Sequence, residues 1–106
     1  MAALKRFYKL FPYNTSNLIG MVHVGPLPGT PLHRPEEHSV GRLIDNACRE
    51  AEVYSRLGVD SVLVENMHDL PYVAKEEVGH ETTAVMTAIC REVRKVFPKQ
   101  KPVGKT

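Results

Sequence analysis

The sequence predicts an α/β fold built from parallel βα units. Three observations predict it. Two short runs, 18–24 and 61–64, are almost continuously apolar, an amphipathic stretch lies between them, and Gly58 closes that stretch. Strand, amphipathic helix, glycine and strand in that order make a βαβ crossover. Counted along the chain, the pattern is the N-terminal two to two-and-a-half βα units of a TIM (β/α)8 barrel, truncated.

The first strand is Leu18-Ile19-Gly20-Met21-Val22-His23-Val24, apolar enough to be covered on both faces. It stops at Gly25-Pro26-Leu27-Pro28-Gly29, where two prolines withdraw backbone donors. The polar loop that follows is longer than most strand-to-helix connections. Ser39 is placed to cap the next helix. Val40, Leu43, Ile44, Ala47, Cys48, Ala51, Tyr54 and Leu57 then recur at steps of three and four, one apolar stripe on a helix. Gly58 suits the residue after its last turn. Ser61-Val62-Leu63-Val64 is the second strand, and Glu65 to Pro71 leaves it as a polar loop. A third amphipathic stretch from about Glu81 to Phe97 carries Val85, Ala88, Ile89, Val93 and Val96 as its inward stripe, and Pro98 stops it. Lys101-Pro102-Val103-Gly104 opens a third strand.

Composition narrows the functional classes. With 42% hydrophobic and 25% charged residues the chain is globular rather than disordered. A formal net charge of +2 makes no electrostatic case for nucleic acid. No apolar run approaches the roughly 20 residues of a membrane span. Cys48 and Cys90 sit on helix stripes and are expected as buried, inert thiols in a reducing compartment. Residues 1–35 contain no Asp or Glu but carry Lys5, Arg6, Lys9 and Arg34. Residues 1–17 are therefore read as a basic lead-in segment, with the barrel portion occupying 18–106. The same composition is that of a short mitochondrial presequence, so the expected compartment is the cytoplasm with the mitochondrion as the alternative.

In parallel α/β folds the reactive groups gather at the C-terminal ends of strands. That rule selects His23 at the end of the first strand and Glu65 at the end of the second as the candidate catalytic pair. An imidazole there can act as a general base, metal ligand or phosphate contact. A carboxylate straight after three apolar residues needs a partner, catalytic or structural. Asn66 and Asp69 are the candidate substrate-binding residues in the loop beyond, with His68 beside them. These donors suit a divalent metal. No tight ligand spacing such as HExxH occurs, and the metal and any cofactor stay unassigned. His33, His38 and His80 stand in polar contexts and are expected to be solvated. The Gly25–Gly29 loop lacks the N–H groups of a phosphate cradle and is expected as a rigid turn.

Three stretches carry a resemblance to a known family. Leu18-Ile19-Gly20-Met21-Val22-His23-Val24-Gly25-Pro26-Leu27-Pro28-Gly29 resembles the opening motif of the BtpA/SgcQ family, and so does Gly58-Val59-Asp60-Ser61-Val62-Leu63-Val64-Glu65-Asn66. The third is Val78-Gly79-His80-Glu81-Thr82-Thr83-Ala84-Val85-Met86-Thr87, where the family usually has Pro after the Gly. The resemblance implies a TIM barrel, and complete members are more than twice this long. It marks His23, Glu65, Asn66 and Asp69 as family-like positions. Bacterial members include a protein implicated in photosystem I assembly and others placed among sugar-metabolism genes.

Three functional readings follow. The parent barrel is an enzyme using metal- or acid/base-assisted chemistry on a small sugar- or nucleotide-like metabolite. It is a non-catalytic assembly or stability factor acting by protein contact. Or this chain is an inactive truncated form. The partners expected are a small-molecule ligand in the full-length parent, and a protein partner or self-association through exposed sheet edges. No nucleic acid and no membrane span are expected.

Overall fold

A computed structural model describes residues 2–11, 16–29, 32–66 and 80–105. The elements run α1 (Ala2–Leu10), β1 (Ile19–His23), α2 (Val40–Leu57), β2 (Ser61–Glu65), α3 (His80–Val96) and β3 (Val103–Lys105). The three strands form one parallel sheet in the order β1-β2-β3. This is the α/β arrangement that the periodicity predicts.

The local signals act as their chemistry requires. The Ser39 hydroxyl accepts from the Arg42 N–H at 3.2 Å, which satisfies one of the orphan donors at the start of α2. Gly58 ends α2 at φ 76°, a left-handed conformation that a side chain would strain. Its N–H donates to the Ser55 carbonyl at 3.2 Å. Beyond α3, Arg94 ties the turn into β3: its guanidinium donates to the carbonyls of Lys101 at 2.7 Å and Phe97 at 3.2 Å. A cation there also meets the negative end of the helix dipole.

The core lies between one face of the sheet and the two long helices. Val22, Val62 and Val64 are each 0% exposed and pack with Leu43, Ala47, Ala51, Met86, Ile89 and Val93. Gly20 belongs to this face because α2 comes too close for any side chain: a Cβ there would stand 2.6 Å from the Tyr54 ring.

Four expectations need correction. The apolar stripe on α2 is buried only in its middle, since Val40 and Leu57 at its ends are exposed. On α3 the buried residues are Thr82, Met86, Ile89 and Val93, so Ile89 and Val93 of the expected stripe are buried while Val85, Ala88 and Val96 are only partly so. Thr82 tolerates burial because its hydroxyl donates to the Pro28 carbonyl at 2.8 Å. Glu65 is the last residue of β2 and not the start of a loop. His33 and His38 are half-buried and engaged: His33 Nδ1 lies 3.0 Å from the Pro26 carbonyl, and His38 Nδ1 accepts from the Arg34 N–H at 2.9 Å. Both thiols are partly buried, which pushes their pKa values up, with Glu92, Glu52 and Asp45 adding to the effect at Cys48.

Candidate functional site

The register of the sheet decides which predicted residues meet. His23 and Glu65 are direct partners across β1 and β2, each the last residue of its strand. The ladder holds to its very end, where the Val24 N–H donates to the Glu65 carbonyl at 2.8 Å. Partners in a parallel ladder project to the same side of the sheet. His23 and Glu65 therefore project together, away from the buried face of Val22 and Val64. His23 Nε2 and Glu65 Oε2 are 4.0 Å apart, with side chains 42% and 28% exposed. That separation is the outer limit of an ion pair and beyond hydrogen-bonding distance. The pair is near enough for one bridging atom and open enough for solvent or a ligand to reach it.

Asn66 follows Glu65 directly and is half-buried at the same end of the sheet. Asp69 and His68 lie outside the described residues. Among the described residues, no group of three or more His, Cys, Asp or Glu side chains is placed to hold a metal ion. Among the same residues, no helix is long and apolar enough to cross a membrane.

Sequence reasoning missed two residues beside the pair. The His23 N–H donates to Glu50 Oε2 at 3.0 Å, and the Tyr54 hydroxyl donates to the Met21 carbonyl at 3.0 Å. Both come from α2. Together with Met21, His23, Arg49 and Val53 they line a cavity of about 370 Å³ along the outer side of β1. The stripe pattern gives Tyr54 only as a packing residue and leaves Glu50 on the solvent side. Their contacts span 27 and 33 residues of sequence, and no local spacing signals them.

The loop after β1 is held by its own carbonyls and not by a glycine-rich cradle. Leu27 is fully buried, and Pro26 and Pro28 lend their oxygens to His33 and Thr82. These contacts tie the loop to His33 and to α3 beside the strand ends.

Comparison with known proteins places this geometry in a family. An uncharacterized protein of Pyrococcus horikoshii is 36% identical over 83 residues, 78% of this chain and 30% of the relative. An uncharacterized protein of Archaeoglobus fulgidus is 40% identical over 78 residues, 74% of this chain and 29% of the relative. A Caenorhabditis elegans relative, named as an uncharacterized mitochondrial protein, is 43% identical over 65 residues, 61% of this chain and 22% of the relative. The chain thus spans less than a third of the length of these relatives. No solved structure matches it. The model of the BtpA family matches residues 14–104, and the chain belongs to that family.

Proposed function

We propose that this chain supplies the opening βα units of a (β/α)8 barrel, with residues 1–17 as a basic lead-in. In that barrel His23 and Glu65 are the acid/base pair acting on a small sugar- or nucleotide-like metabolite. The observation that carries this reading is the register pairing of His23 with Glu65 at the two strand ends, 4.0 Å apart and accessible. An imidazole can take a proton from a ligand or return it, and a neighbouring carboxylate holds the ring and supports its charged form. Asn66, and Asp69 in the loop beyond, would orient the ligand by hydrogen bonds. A metal-assisted form of the same chemistry would use His23 and Glu65 as ligands. The relatives' greater length leaves room for the remaining strand ends of such a barrel, where barrels commonly hold phosphate.

The test is a binding screen of sugar phosphates and nucleosides against a family-length relative and against this chain. Equivalent His23→Ala and Glu65→Gln variants are compared for binding and turnover. A loss of turnover of about 10²-fold or more in each variant is expected for an acid/base pair. Unchanged binding and turnover in both variants would remove the site. The place of action is proposed as the cytoplasm, with the mitochondrion as the alternative that the name of the worm relative supports. A fluorescent fusion to the N-terminal 35 residues separates the two.

A further inference from the structure

The helix α1 stands apart from the rest of the molecule. None of the core residues comes from it, and it has no place among the closely packed pairs of elements. From Lys5 to Leu10 every residue is exposed. Phe7, Tyr8 and Leu10 are 41%, 56% and 55% exposed. The family match begins at residue 14, so α1 precedes the part shared with the family. The pairing of β1 and β3 in a closed barrel engages strands and leaves this helix outside the ladder.

Its two sides differ in chemistry. The Phe11 N–H donates to the Phe7 carbonyl at 2.9 Å, which carries the last helical turn on to Phe11. At 3.6 residues per turn, Leu10, Phe7, Phe11 and Tyr8 fall on one side, and Lys5, Lys9 and Arg6 on the other. The rings are gathered: the Phe7 centroid lies 5.1 Å from that of Phe11, the buried member, and 5.7 Å from that of Tyr8. Charge is segregated along the chain as well. Of its 14 Lys and Arg, four lie in residues 1–35, and all 12 Asp and Glu lie beyond them. Positive charge is thus concentrated at this end, and the rest of the chain carries a slight acidic excess.

That chemistry selects the occupant. An interfacial helix sets aromatic and aliphatic residues at the headgroup level and turns its bases to lipid phosphates. A second copy of α1 would instead bring Lys5, Arg6 and Lys9 against like charges. We propose that α1 docks the chain on an anionic lipid surface, lying in its plane with Phe7, Tyr8 and Leu10 in the headgroup region. The acidic remainder is held off such a surface, which leaves the strand ends in solvent. The docking does not depend on the acid/base reading of His23 and Glu65, and either can fail alone.

The experiment is flotation of the 106-residue chain with vesicles of phosphatidylcholine, alone or with about one third phosphatidylglycerol. Binding is expected to the mixed vesicles, falling as salt is raised. A base near an anionic surface contributes about fivefold to the partition, so Lys5→Gln/Arg6→Gln/Lys9→Gln should weaken it about 10²-fold. Phe7→Ala/Leu10→Ala should weaken it about tenfold or more. Arg56→Gln/Arg91→Gln/Lys99→Gln removes the same charge from exposed positions on the body, and should leave binding within about twofold. The chain has no Trp, so Tyr8→Trp gives a single probe whose emission should shift to the blue on the mixed vesicles. Equal binding to both kinds of vesicle, or none, would overturn the proposal. So would an equal loss in the two triple variants, or binding without the blue shift. Self-association through α1 in sedimentation, with no vesicle binding, would give the face to a second copy and overturn it too.

Discussion

The two faces of this small sheet do different work. On one, Val22, Val62 and Val64 are sealed beneath α2 and α3. On the other, Ile19 is 52% exposed, and His23 and Glu65 project side by side from the strand ends. Adjacent residues of one strand thus sit in opposite environments, because successive side chains alternate across a pleated sheet. Burial of apolar surface supplies most of a domain's stability. Stability should therefore respond to the helix-covered face and ligand chemistry to the open one.

The largest effect should come from Phe97, which is 2% exposed where α3 turns toward β3. Phe97→Ala is expected to cost about 3–5 kcal/mol in urea unfolding. Gly20→Ala comes next, at about 1–3 kcal/mol, because its methyl group would overlap the Tyr54 ring and force α2 outward. Ser39→Ala should cost about 1 kcal/mol through loss of the α2 cap. His23→Ala, on the open face, should stay within about 0.5 kcal/mol. A value near that of Phe97→Ala would break the comparison by making His23 a structural residue.

The thiols sharpen the contrast between inside and outside. Burial raises both Cys48 and Cys90, so at pH 8 each should react with a thiol reagent more slowly in the folded chain than in urea. The linkage has a definite sign. Folding favours the protonated thiols, so the stability they contribute is complete below the ordinary thiol pKa. It is lost as pH rises from there through the raised folded values. Equal reaction rates in buffer and in urea would place the thiols in solvent.

Much of this division is legible in the sequence. Ser39 and Gly58 bound α2 through local chemistry, and the three-and-four stepping of Leu43, Ala47 and Ala51 names its buried side. The rule that reactive groups gather at strand ends selects His23 and Glu65, and the register makes them partners. The misses have physical causes. Thr82 reads as a polar helix residue until the Pro28 carbonyl, 54 positions away, accepts its hydrogen bond. Met86 is buried more deeply than Val85 because the packing of α3 against α2 and β3 sets the helix rotation, which periodicity fixes only to within a residue or so. Glu50 and Tyr54 reach a strand edge through contacts that exist only once the sheet has formed.

The most direct test compares two neighbours on β2. Val64 is fully buried against the helices, and Glu65 faces the open side. Urea unfolding of Val64→Ala should show a loss of about 2 kcal/mol, from lost apolar burial and the cavity left behind. Glu65→Gln, one residue further on, should change stability by less than about 0.5 kcal/mol. A Glu65→Gln loss as large as that of Val64→Ala would contradict the division. It would make Glu65 part of what holds the fold together, rather than a group left open for chemistry.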